Sequence, residues 1–191
     1  PHGLPFQGGT DLFGAKWIVE SNAPTGAIPD PRFHIIPDVD DMPNWRDFIT
    51  LPDVDAMDWA GAAARDLPTF DRENKMLCTD VMDGNFNRLQ AIMGTCEALI
   101  AMLEEPEWCM DMFSHELDLD IALMERVWEA GYHFDELHWY DDMGYKGTTF
   151  FSNKMYRELL KPVHKRAVDW AHDHGIVAQL HSCGDVMSLI P

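Results

Sequence analysis

The hydrophobic pattern becomes regular from residue 76 onward. A compact apolar run at 75–81 has the length of a strand, and apolar residues recur at three- and four-residue spacing over 84–103 and 105–131. This spacing predicts two helices, the first broken near Gly94 and the second ended by Gly131. The buried stripe of the second helix is predicted to contain Cys109, Met112, Phe113, Leu117, Ile121, Met124 and Val127.

The last third of the chain alternates between strand and helix. Strands are predicted at 134–142 and 176–183, and Ser152 can cap a helix that lies between them. Pro162 is expected to interrupt that helix and to occupy the first turn of a following one, which ends at Gly175. Strand, helix and strand in this order are typical of a parallel sheet in an α/β protein.

The first 72 residues are rich in Pro, Asp and Gly and are predicted to be largely irregular. Two short strands, 15–21 and 32–37, are expected on either side of a connection that contains several Pro and Gly residues. A helix is predicted within 51–67, because acidic residues lie in its first turns and an arginine lies near its end.

The strongly negative charge argues against proteins that bind nucleic acid or anionic membranes. The formal net charge is −19, from 33 acidic and 14 basic residues. Such a surface repels nucleic acid and anionic membranes, and no apolar run has the length needed to span a bilayer. Four irregularly spaced cysteines favour reduced thiols in a cytoplasmic protein over a disulfide framework. Without a signal-peptide pattern or an initiator Met, the chain is expected to be a cytoplasmic fragment.

Candidate chemistry lies at the carboxyl ends of the last two predicted strands. Because side chains alternate along a strand, His181 and Cys183 share one face. His138 and Asp142 likewise share a face of the preceding strand, and Asp141 stands beside Asp142. Reactive groups gather at the carboxyl ends of strands in α/β barrels and open α/β sheets. We therefore expect the two strand ends to converge and to form one site that contains both acidic groups and a thiol.

A His-x-Cys pair on one face of a strand is compatible with zinc. The α-carbons of His181 and Cys183 would lie roughly 6–7 Å apart, and zinc bonds of about 2.0–2.1 Å to nitrogen and about 2.3 Å to sulfur can bridge that gap. A stable site needs a third protein ligand, and a fourth position is left for substrate. The alternative interpretation is a buried, hydrogen-bonded histidine beside an inert cysteine, with Asp141 and Asp142 in a solvated turn.

The other histidines are expected to be structural. His172 and His174 form an HDHG segment that looks like a metal motif, but histidines are also typical of helix carboxyl ends. His115 and His164 fall in predicted helices and are expected at the surface or at its boundary with the core.

The stretch YDDMGYKGTTFFSNKMYRELLKPVHKRAVDWAHDHGIVAQLHSCGDV (140–186) resembles the uroporphyrinogen decarboxylase superfamily. That superfamily includes the haem-pathway decarboxylase and the corrinoid-dependent methyltransferases. The resemblance rests on the acidic pair before Gly, the helix begun by Ser, the Lys-Pro pair, and the strand that leads into HSCGD. Upstream, DLFGAKWIVES and LPDVDAMDWAGAA are similar to the early segment of the methyltransferase-like branch.

The fold that this resemblance implies is a (β/α)8 TIM barrel, which usually needs about 250 residues. The chain has 191 residues. We therefore expect an α/β fold that is a partial barrel, with elements missing at both ends. Residues 1–191 would form one incomplete domain, with an irregular leading segment at 1–72 and βα units at 73–191.

The resemblance also implies a function. Methyltransferases of this superfamily bind zinc through a His-x-Cys pair, matched here by His181 and Cys183, and through a later Cys that would lie outside this chain. The implied activity moves a methyl group between a corrinoid protein and a small methyl donor or thiol acceptor. Asp142, with Asp141, would orient the substrate or a proton. His138 would not bind the metal itself but would contact its ligands and orient them. A homodimer is a further expectation.

Two other functions are compatible with the same resemblance. The decarboxylase acts without metal in porphyrin biosynthesis and uses arginines near its amino terminus, an early carboxylate, a late histidine and a tyrosine in the segment equivalent to 84–94. This segment contains no tyrosine, and a substrate with many carboxylates needs cationic groups that the acidic chain has in small number. The second alternative is a non-catalytic module that binds a corrinoid protein.

Overall fold

The computed structural model describes residues 7–19 and 27–190, except for the side chains of 80–82. Three short strands open the described chain and pair antiparallel in sequence order. They are β1 (Gly9–Thr10), β2 (Lys16–Val19) and β3 (Ala27–Pro29).

One of the two strands predicted in the leading segment is wrong. Strand β2 falls within 15–21, whose last two residues lie outside the described part of the chain. Its observed partner is β3, which belongs to the predicted connection, and 32–37 forms no strand. The backbone N–H groups of Ile35 and Ile36 both donate to the carbonyl of Ile92. Ile36 is fully buried, so this apolar segment packs as irregular chain.

Short helices follow in the leading segment. They are 3-10 turns at Val39–Asp47, Val54–Ala56 and Leu67–Thr69, and the helix α1 (Trp59–Asp66). Aspartate side chains cap three of these elements, at Asp38, Asp53 and Asp58. Part of the acidic excess is therefore used for local capping, and the helix predicted within 51–67 is confirmed.

The second part of the chain contains the main sheet and its helices. In chain order the elements are β4 (Cys78–Asp83), α2 (Asn85–Met93), α3 (Thr95–Glu104), α4 (Pro106–Glu129), β5 (Glu136–Tyr140), β6 (Gly144–Tyr145), β7 (Thr148–Thr149), α5 (Asn153–Met155), α6 (Lys161–Asp173) and β8 (Val177–His181). Strands β4, β5 and β8 form a parallel sheet in that order, and β6 pairs antiparallel with β7. The predicted parallel order of strands is confirmed.

Helix boundaries follow the predicted breakers with one exception. Gly94 separates α2 from α3 with φ of +84°, and Ser152 caps α5 by accepting from the N–H of Met155. Pro162 lies in the first turn of α6, as predicted, but it does not interrupt the helical backbone, which continues from α5 into α6 through a π turn at Tyr156–Leu160. A wider turn accommodates a residue that has no N–H to donate.

One face of the sheet is packed against helices. Leu137 and Trp139 of β5 are buried, while Glu136, His138 and Tyr140 alternate with them and are half-buried. Helix α4 packs against β4 and α6, and α6 packs against β8. The described residues thus form an α/β structure, as predicted. They do not close a barrel, and the (β/α)8 architecture stays a prediction.

Among the described helices, none combines the length and apolarity required to cross a bilayer.

Candidate metal centre

Three side chains converge where β5 and β8 end. Asp142 follows β5, His181 is the last residue of β8, and Cys183 lies two residues further on. One carboxylate oxygen, one imidazole nitrogen and the thiol sulfur all lie within 4.8 Å of one another. The predicted convergence of the two strand ends is confirmed, because the strands are adjacent and parallel, with Tyr140 opposite His181.

The distances within this triad are those of potential ligands of one ion. The Nε2 atom of His181 lies 3.4 Å from the sulfur of Cys183 and 3.7 Å from Oδ1 of Asp142. Atoms bound to the same tetrahedral zinc ion lie roughly 3.3–3.8 Å from each other. The His181 and Asp142 side chains are 44% and 39% exposed, so solvent or a substrate can reach the triad.

Hydrogen bonds donated by backbone N–H groups hold the two strand ends together. The N–H of Cys183 donates to Oδ1 of Asp142 at 2.6 Å, and the N–H of Asp141 donates to the carbonyl of His181 at 2.9 Å. A third bond runs from the N–H of Met143 to Oγ of Ser182 at 2.9 Å. Each bond joins a residue that follows β5 to a residue at the end of β8, and the acceptors are one backbone carbonyl and the side chains of Asp142 and Ser182.

Two glycines allow these loops to lie against each other. Gly184 adopts φ of +78°. A Cβ on Gly144 would collide with the carbonyl oxygen of Cys183 and would lie 2.7 Å from the carbonyl carbon of Gly184. A side chain at position 144 is therefore excluded, because the segment after β5 that contains Gly144 crosses the segment after β8 that contains Cys183 at this point.

Gly144→Ala is expected to destabilise the fold and to displace Cys183 from the triad. Overpacking of this kind costs about 1–3 kcal/mol, which urea unfolding can measure as a lower midpoint. Gly147→Ala is the control for zinc affinity: its φ of +70° makes that substitution costly to stability as well, but a Cβ added there would have nothing within 4 Å. Equal effects of the two substitutions on zinc affinity would contradict the role of Gly144.

Partial desolvation, together with the negative charge of Asp142, raises the pKa of the Cys183 thiol. Partial burial has the largest effect, followed by the negative charge of Asp142 and a hydrogen bond to its carboxylate. Each of these factors disfavours the thiolate. A bound cation has the opposite effect, because it stabilises a thiolate and neutralises the carboxylate beside it.

Asp141 and His138 lie outside the triad. Asp141 is fully buried, and its Oδ2 lies 2.8 Å from Nε2 of His164. The half-buried ring of His138 lies 4.8 Å from that of Tyr140, which in turn lies 5.3 Å from that of His181. Of the two aspartates predicted to orient substrate, Asp142 is therefore the one that reaches the triad.

The position of His164 differs from the prediction. A location at the surface or its boundary is wrong for this residue, because His164 is buried and only 7% exposed. It stands three and seven residues before Ala167 and Ala171, which are both buried on α6. That helical spacing is visible in the sequence and is the signal that places His164 in the core.

The HDHG histidines and His115 lie where the sequence predicts them. Helix α6 ends at Asp173, so His172 and His174 are at its carboxyl end, and the ring of His174 stacks on that of Trp170 at 4.0 Å. His115 is exposed. Neither the HDHG segment nor His115 belongs to the triad.

A comparison with protein-family models and a search of curated proteins returned no match. Support for the candidate centre therefore comes from its own geometry.

Proposed function

We propose that the chain is part of a zinc-dependent methyltransferase of the uroporphyrinogen decarboxylase superfamily. The enzyme would move a methyl group between a corrinoid protein and a small methyl donor or thiol acceptor. The observation that carries this proposal is the convergence of Asp142, His181 and Cys183 on one exposed point.

The donor set favours zinc among the common metals. Imidazole nitrogen and thiolate sulfur are typical zinc ligands, whereas magnesium and calcium prefer oxygen ligands alone. The resemblance implies a third ligand outside this chain, but the carboxylate of Asp142 already lies within reach of the other two donors. Three protein ligands and an exposed side are typical of a catalytic zinc site, which keeps its fourth position for water or substrate.

Each residue of the site has a distinct task in this proposal. His181 and Cys183 hold the metal, and Asp142 either completes the ligand set or holds a proton near the substrate. When bound there, zinc would lower the pKa of a substrate thiol and favour its nucleophilic thiolate. Asp142 also fixes Cys183 by accepting its backbone N–H. The exposure of His181 and Asp142 would allow a corrinoid protein to approach them.

Removal of metal tests the proposal directly. The protein is treated with a chelator and supplied with methylcobalamin and a panel of small thiols, and methyl transfer is followed by the visible absorbance of the corrinoid. We expect the rate to fall roughly 100-fold or more and to recover when zinc is added back.

Two results would contradict the proposal. Turnover of a porphyrinogen carboxylate that a chelator leaves unchanged would support the metal-free decarboxylase. Capture of a corrinoid protein with neither zinc nor turnover would support the binding module.

A further inference from the structure

His164 forms a buried polar pair with Asp141 directly behind the candidate metal centre. His164 lies on α6, and its Nε2 is 2.8 Å from Oδ2 of Asp141. Their side chains are 8% and 0% exposed. We assign the proton of this hydrogen bond to Nε2, since the carboxylate is the acceptor. An apolar side chain would fill this part of the core without the cost of burying two polar groups, so the pair needs an explanation.

A chain of hydrogen bonds connects this pair to both strand ends of the centre. Oδ1 of Asp141 accepts from the backbone N–H of Asn87 at 3.1 Å, and Oδ1 of Asn87 accepts from the N–H of Asp142 at 3.0 Å. The N–H of Asp141 itself donates to the carbonyl of His181 at 2.9 Å. The carboxylate that His164 binds is therefore two hydrogen bonds from the Asp142 backbone and one residue from it along the chain.

The helix that carries His164 is irregular at the turn before it. The π turn at Tyr156–Leu160 widens the helix, and the N–H of Lys161 bonds to the carbonyl of Tyr156. Turns of this type occur often at functional sites, where they change the direction of a side chain. His164 follows this turn in the chain. Its ring lies between those of Tyr156 and Trp139, at centroid distances of 5.8 and 6.2 Å.

We propose that His164 is a positioning residue of the metal centre. Through Asp141 it fixes the turn after β5 and thereby the direction of the Asp142 carboxylate toward His181 and Cys183. The inference rests on the proposed metal function of that triad. Residues that orient metal ligands from behind typically contribute about 10- to 100-fold to metal affinity.

The test compares two amide substitutions at the same position. The Nε2 atom of a glutamine can take the place of the imidazole Nε2 and donate to Asp141, whereas the shorter asparagine amide does not extend to that position. Zinc affinity is measured by competition with a chromophoric chelator. We expect His164→Asn to weaken zinc binding about tenfold and His164→Gln to restore most of the loss.

Val163→Ala is the control for a purely structural effect. Val163 is the buried neighbour of His164 on the same helix and is 1% exposed. We expect this substitution to lower the urea midpoint while leaving zinc affinity unchanged. Cobalt in place of zinc gives a second measurement, since its visible spectrum reports ligand geometry, and we expect a change in His164→Asn alone.

The outcomes separate this inference from the proposed function. Zinc affinity that is equal in the unaltered protein and in His164→Asn would overturn the positioning role and leave the metal centre intact. Equal losses in the Asn and Gln variants would also overturn it. If the unaltered protein bound no zinc, the proposed function and this inference would both fail.

Discussion

Replacing both His181 and Cys183 with Ala is expected to remove zinc from the protein. The unaltered protein should hold one ion per chain, and the double variant should hold none that survives dialysis, because a lone carboxylate does not retain zinc at ordinary concentrations. Elemental analysis after gel filtration measures the ratio of zinc to protein. The double variant should also lose methyl transfer.

Single substitutions rank the three donors by their contribution to zinc affinity. Asp142→Asn keeps an oxygen that can accept the N–H of Cys183, which now donates to Oδ1 at 2.6 Å, but removes the negative charge. We expect this variant to bind zinc more weakly than the unaltered protein and more tightly than Cys183→Ala. The same order is expected for the rates of methyl transfer.

Controls use a cysteine and a histidine that lie away from the centre. Cys96, at the start of α3, and His172, at the end of α6, are both exposed. Cys96→Ala and His172→Ala should leave the zinc content unchanged. Zinc that stays at one ion per chain after both His181 and Cys183 are replaced would refute the ligand assignment.

The sequence is sufficient to predict which strand ends carry the candidate site. The two-residue alternation along β5 and β8 determines that Leu137 and Trp139 face the helices, and the parallel order of strands brings His181 close to Asp142. The helices are predictable for a related reason, since long amphipathic segments with glycine at their ends specify their own limits. This is the case for α4, whose predicted buried stripe includes the fully buried Cys109, Met112 and Phe113.

The features of the fold and the site that the sequence does not predict depend on contacts between segments that are distant in the chain. Cys183 lies beyond the end of β8, so its position is set by the loop that crosses Gly144, and strand alternation does not determine it. For the same reason, the sequence does not predict Asp142 as a third donor. The strand predicted at 32–37 is wrong because Ile35 and Ile36 bond to Ile92, an interaction that local pattern does not encode.

Glu116→Gln is expected to make the stability of the protein less dependent on pH. Glu116 is 1% exposed and lies on α4, where its Oε2 accepts from Nδ2 of Asn85 at 3.3 Å. Burial raises its pKa to about 8, against an opposing effect of the positive charge of Arg88. Burial likewise raises the pKa of Asp120 to about 7. Glutamine has the shape of the protonated glutamic acid, so it fits the same site.

The sign of the effect follows from proton binding. Between the unfolded pKa of 4.5 and the folded value of about 8, the folded protein holds a proton on Glu116 that the unfolded chain has lost. Stability from this group is therefore complete below pH 4.5 and is lost as the pH rises through about 8. Each unit of pKa shift corresponds to about 1.4 kcal/mol, so the expected difference between variant and unaltered protein grows to a few kcal/mol at alkaline pH.

The measurement is the free energy of unfolding in urea at several values between about pH 5 and about pH 8.5. Unaltered protein should lose stability over this range more steeply than Glu116→Gln, while near pH 5 the two should be similar. Glu107→Gln, an exposed position on the same helix, should retain the steep slope. Groups that do not interact with Glu116 titrate alike in both proteins and cancel in the difference, so equal slopes for Glu116→Gln and the unaltered protein would show that Glu116 is ionised in the core. In that case the positive charge of the buried Arg88 would outweigh the effect of burial and would stabilise the Glu116 carboxylate in its charged form.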